Sequence, residues 1–146
     1  MTDRSTWGEG PWQNEPDRKE WRDEATGLPC LIVRHPLMGQ LCGYVAVPPG
    51  HPWHGVKCND DRLDNVRAHG GLTFSAACDE DGLVCHVPQA GEPADVWWLG
   101  FDCGHAWDLI PGIEAMGSWD HCTYRDMPYV EAECAKLAAQ AKEASQ

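Results

Sequence analysis

Along the chain, short apolar runs alternate with polar, glycine- and proline-rich stretches, and a helical period appears only near the end. Cys30-Leu31-Ile32-Val33-Arg34-His35 is β-branched and apolar, which predicts a strand stopped by Pro36. Gln40 to Val47 predicts a second strand, and the intervening Met38-Gly39 turn makes the two an antiparallel hairpin. Leu72 to Cys78 and Leu83 to Val87 flank Asp79-Glu80-Asp81-Gly82, a second hairpin signal. Asp95 to Phe101 predicts the central strand, with Trp97 and Trp98 on opposite faces. Tyr129 to Lys142 carries the only sustained helical period: Val130, Cys134, Leu137 and Ala141 share one face, and Pro128 suits the first turn. The expected fold is α+β: a mostly antiparallel sheet of about five or six strands, one C-terminal helix and long loops.

Residues 1–26 are polar, with Trp7, Trp12 and Trp21 as anchors, and read as an N-terminal arm. Within it, residues 17–24 suit a short helix after Pro16 or an irregular segment. Residues 27–146 read as a single α+β domain, long enough to bury a core without metal or disulfides. Three prolines stiffen residues 48–55, a loop that carries His51, Trp53 and His54 and suits a pocket wall. Residues 102–125 look irregular, with Trp107, Ile110, Ile113, Met116 and Trp119 to bury.

Charge narrows the function classes. The 146 residues carry a formal net charge of -12, which argues against direct nucleic-acid binding and against an anionic membrane surface. The start of the chain has no apolar targeting segment, so the expected location is the cytoplasm. There the eight cysteines are expected as thiols. No Cys-x-x-C spacing occurs, and Cys42 and Cys134 are taken as packing residues, as are the facing Cys78 and Cys85 in a reducing compartment, where oxidation would staple them instead.

Candidate chemistry gathers where the central strand ends. Trp97-Trp98-Leu99-Gly100-Phe101 runs into Asp102, Cys103, His105 and Asp108, polar groups that are costly to bury unless each finds a partner. Three readings stay open. In the first, His51, His69, Asp102, His105 and Asp108, with Gly70 and Gly71 amides and Trp98 and Trp107 walls, bind a small molecule, a nucleotide derivative using all of these elements. In the second, His69, Cys103, His105 and Asp108 hold a metal, with Zn²⁺ the best match, or Cys103 acts as a nucleophile with His69 or His105; either gives a hydrolase. In the third, an acidic face inhibits a host enzyme by contact. Asp102 and Asp108 as helix caps, and Arg125-Asp126 as a surface or capping pair, are the bland alternatives.

Four motifs carry a resemblance. Gly43-Tyr44-Val45-Ala46-Val47-Pro48-Pro49-Gly50-His51-Pro52, His69-Gly70-Gly71-Leu72-Thr73, Trp97 to His105, and Tyr124-Arg125-Asp126-Met127-Pro128-Tyr129-Val130, in that order, resemble a family of small bacteriophage and prophage proteins over residues 27–140. Where that family commonly has a small residue, Trp107 stands here, which would narrow a pocket or stack on a ligand. The resemblance implies a phage accessory protein in the host bacterial cytoplasm, with counter-defence by sequestering a nucleotide immune signal, or by binding a host defence protein, as the expected role. A homo-oligomer is compatible with an exposed, tryptophan-bearing sheet edge.

Overall fold

The computed structural model describes residues 3–78, 84–86, 93–114 and 122–146. Five strands form one sheet: β1 (Arg18–Arg22), β2 (Pro29–Arg34), β3 (Leu41–Val47), β4 (Phe74–Ala77) and β5 (Trp97–Asp102). Their order is β1-β2-β3-β5-β4, and every neighbouring pair is antiparallel. The described residues also form a short helix α1 (Pro111–Glu114), the long C-terminal helix α2 (Met127–Ala144) and two 3-10 turns, Pro11–Gln13 and Asp61–Leu63. The α+β expectation holds. Among the described residues, no helix is long and apolar enough to cross a membrane.

The sheet already begins at Arg18, so residues 17–24 are neither helical nor irregular. Trp21 pairs with Cys30 and packs on the core, and pairing to β2 outweighs the local helix signal after Pro16. The second predicted hairpin is not seen as drawn among the described residues: there β4 pairs with β5 alone, and residues 84–86 form no strand. Its turn residues, like Met116 and Trp119, lie outside the described residues. Cys78 and Cys85 are joined by a disulfide rather than packed as thiols.

The two sheet faces divide along the alternation of β5. Leu99 and Phe101 face α2, whose Val130, Cys134, Leu137, Ala138 and Ala141 are fully buried. Trp98 turns to the other face, among Leu31, Val33, Tyr44, Ala46, Val84 and Val96. Gly43 lets the helix come close: a Cβ there would stand 2.5 Å from Phe101 and 2.9 Å from the Cys134 sulfur.

One polar knot ties the N-terminal segment to the sheet. The Arg34 guanidinium, at the end of β2, is completely buried. It donates to Asp17, Glu15, the Gly39 carbonyl and the Tyr124 hydroxyl. Glu15 also accepts from Tyr124 and from the amide of Met127, at the start of α2. Asp17 further accepts from Arg4, and Trp12 packs edge-on against Tyr124. The chain just before α2 is therefore held by residues more than a hundred positions earlier.

Candidate functional site

Three separate stretches converge beside the C-terminal end of β5. The first is the turn Ala68–Gly71, closed by the Gly71 amide on the Ala68 carbonyl. Gly70 and Gly71 both have positive φ, at 69° and 89°. The second is the turn after β5. There the Asp108 amide donates to the His105 carbonyl, and the His105 amide donates back to the Asp108 carboxylate. The third is the lead-in and first turn of α2. It is pinned to the second by Thr123, which exchanges backbone bonds with Trp107 and Leu109 on either side of Asp108.

Asp108 is the hub. Its side chain is 1% exposed. It accepts from Nε2 of His69 at 2.9 Å, Nε of Arg125 at 2.9 Å and the His105 amide at 2.9 Å. Burial by itself raises a carboxyl pKa, but these donors outweigh it and hold Asp108 below the usual carboxylate range. An ionised carboxylate only accepts, so a neutral His69 carries its proton on Nε2. Its Nδ1 then accepts the Tyr129 hydroxyl, 2.8 Å away. Arg125 lies over the Tyr129 ring, 5.0 Å from its centroid, and closes the circuit.

His105 completes the group. Its ring stands 5.8 Å from that of His69, edge to face, and Gly70 gives it room: a Cβ on Gly70 would fall 2.2 Å from the His105 ring. Its Nδ1 is buried without a hydrogen bond, 3.5 Å from Asp108 Oδ2 and 3.7 Å from Asp102 Oδ1. Ligand atoms of His69, His105 and Asp108 all lie within 4.8 Å of one another, so this group could hold a metal ion. A cavity of about 210 Å³ opens beside it, lined by Gly104, His105, Ala106, Asp108, Ile110 and Ile113.

Of the residues singled out from the sequence, His69, Gly70, His105 and Asp108 meet here, and Asp102 stands at the edge. Asp102 accepts from the Thr73 hydroxyl and the Gly104 amide, tying the turn after β5 to the segment before β4. Gly71 contributes a turn, its amide already used.

His51 does not belong to the cluster. Its Nε2 bonds the Ala141 carbonyl, twelve residues along α2 from the Tyr129 that holds His69. At the rise of an α-helix that is roughly 18 Å. The stiff loop of residues 48–55 thus braces the far end of α2, with Trp53 buried beneath it.

Trp98 is no wall either, because its strand parity sends it into the second core. Trp107, expected to be buried or to wall the pocket, is 66% exposed, and its carbonyl accepts from the Thr123 amide.

Cys103 is buried in the main core, outside the metal-competent group. Burial first, then the charges of Asp108, Cys42 and Asp102, push its thiol well above its ordinary range. It is a packing residue, and the geometry lends the Cys–His nucleophile no support.

Two members of the circuit, Arg125 and Tyr129, stand in the Tyr124–Val130 motif but were not marked as site residues, Arg125 being read as part of a surface or capping pair. Asp126 does cap α2, accepting from the Tyr129 amide, but Arg125 turns inward to Asp108 instead of pairing at the surface. A carboxylate in the turn shortly after an apolar strand was one available hint that a cation must be found nearby.

No protein-family model, no curated protein and no solved structure matches the chain.

Proposed function

We propose that His69, His105 and Asp108 bind a single Zn²⁺ and that the protein is a metal-dependent hydrolase of a small substrate. The observation that carries this reading is the spacing of the donors. A tetrahedral ion with bonds of about 2.0–2.1 Å sets its ligands roughly 3.3 Å apart. The separations of 2.9 Å from His69 Nε2 to Asp108 and 3.5 Å from His105 Nδ1 to Asp108 bracket that value. The ligating edge of His105 is also buried without a hydrogen bond, an arrangement that a cation relieves. His69 needs only to pass its proton from Nε2 to Nδ1, where the Tyr129 oxygen accepts it, the usual outer partner of a ligating imidazole.

Three protein ligands leave a fourth position, and the cavity shared by His105 and Asp108 supplies access to it. Zinc with an open position lowers the pKa of bound water to about 7 and polarises a carbonyl or phosphoryl oxygen. Arg125 keeps Asp108 ionised and oriented, and Asp102, partly exposed at the edge, is placed to take a proton.

Protein purified without chelators, or titrated with Zn²⁺, is expected to hold one ion per chain, and His105→Ala to hold none. A wild-type stoichiometry near zero under saturating zinc overturns the proposal. Capture without turnover is the second reading, favoured by the exposed Trp107 ring, which can stack on a base outside the cavity. It fits the role implied by the resemblance to phage proteins, sequestration of a host signal. Recovery of an unaltered ligand after denaturing the loaded protein separates it from hydrolysis.

A further inference from the structure

The zinc reading leaves the substrate open, and the cavity beside the ligands narrows it. Apart from His105 and Asp108, its described lining is Gly104, Ala106, Ile110 and Ile113: two aliphatic branched side chains, one methyl and bare backbone. Among the described residues, the charges nearest it are the carboxylates of Asp102 and Asp108. The Arg125 guanidinium is committed to Asp108 and to the Tyr129 ring. A phosphate or carboxylate tail in this space would meet apolar walls and no cation among the described lining residues. A volume of about 210 Å³ lies below the ~300–1,000 Å³ of pockets that take drug-sized ligands. It corresponds to about seven waters at ~30 Å³ each.

We infer that the group held beside the reacting bond is a short, uncharged aliphatic chain, so that the substrate class is an amide or ester of a small aliphatic acid rather than a nucleotide. The inference rests on the zinc reading. Hydrolysis of such a bond adds the oxygen of water to the acyl carbon and breaks the C–N or C–O bond. One proton of that water goes to the leaving nitrogen or oxygen, and the fatty acid and the amine or alcohol are released.

The test titrates zinc-loaded protein with acetohydroxamate, butanohydroxamate, hexanohydroxamate and decanohydroxamate, which share one metal-binding head and differ only in the tail. Calorimetry with Zn²⁺ alone comes first. Each added methylene up to the six-carbon chain is expected to tighten Kd about fourfold, as full burial of a CH₂ provides. The ten-carbon tail is expected to gain nothing further. Ile113→Asn is expected to shrink the increment per methylene, and its thermal transition reports whether it has folded.

Zinc bound with a Kd that ignores chain length overturns the aliphatic subsite and leaves the metal centre standing. Failure of wild-type protein to bind zinc overturns both. A nucleoside monophosphate that binds the zinc-loaded protein more tightly than hexanohydroxamate also overturns the inference.

Discussion

The imidazole of His105 rests on the bare Cα of Gly70, where any side chain would occupy the volume of the ring. Gly70 also has φ of +69°, a region that side chains with a Cβ disfavour. Gly70→Ala therefore combines backbone strain with displacement of His105. We expect a loss of about 1–3 kcal/mol in stability and at least a tenfold weaker Kd for zinc. Urea unfolding and metal competition measure the two separately. A variant with wild-type values for both would show that His105 is not held by this contact.

The Tyr129 hydroxyl acts on the site through one hydrogen bond to His69 Nδ1, and its ring lies under Arg125. Removing an outer partner of a metal-bound imidazole typically weakens metal binding by about 10- to 100-fold. Tyr129→Phe keeps the ring over which Arg125 lies, so zinc affinity is expected to fall in that range while the fold is retained. Unchanged affinity would remove Tyr129 from the metal site.

Arg34 is the most exacting residue of the knot between the N-terminal segment, the sheet and α2. Its guanidinium is fully buried against two carboxylates, a carbonyl and a phenol. Arg34→Ala takes the Arg34 cation from Glu15 and leaves Asp17 with Arg4 alone, and a loss of about 3–5 kcal/mol is expected. A shift below about 1 kcal/mol in denaturant titration would contradict the buried network.

The free thiols sort by burial. Burial, reinforced by Asp23, pushes Cys30 up to about 12, and burial, reinforced by Asp102, pushes Cys42 up to about 11. Cys103 and Cys134 are buried and also raised; Cys42 is half-buried, as are Cys58 and Cys122, but the charge of Asp102 stands against its thiolate. At pH 8, Ellman's reagent should react quickly with Cys58 and Cys122 and slowly with the other four.

The same shifts set a pH dependence. Folded pKa values above the unfolded value of about 8.5 favour the native state while the thiols stay neutral. That stabilisation is whole below about 8.5 and is lost as pH rises through 11 to 12. Stability at pH 10.5 should be about 2 kcal/mol lower than at pH 8 for each of Cys30 and Cys42. A flat profile would refute their burial.

Much of the fold was legible because it rests on periodicity. The β2–β3 hairpin, β5 and the apolar face of α2 all follow from the spacing of their own residues. Arg18–Arg22 was not legible, since its strand state comes from pairing with β2 and not from its own polar sequence. His69, His105 and Asp108 were legible as chemistry but not as geometry. Which imidazole would reach Asp108 was decided by where the loops of residues 48–55 and 68–71 dock, and His51 was drawn instead to the open carbonyl of Ala141. Arg125 and Tyr129 were missed because a cation and a phenol beside a helix start usually face water. Here the Thr123 bridge turns that segment inward.

The circuit through Asp108 borrows from positions 69, 105–108 and 125–129, so no contiguous fragment shorter than about two-fifths of the chain contains it. A nascent chain still lacking its final helix has neither Tyr129 to orient the imidazole nor Arg125 to balance the aspartate. Ion uptake would then be the last act of folding, and bound metal a chemical certificate that the final helix has found its place against the middle of the polypeptide.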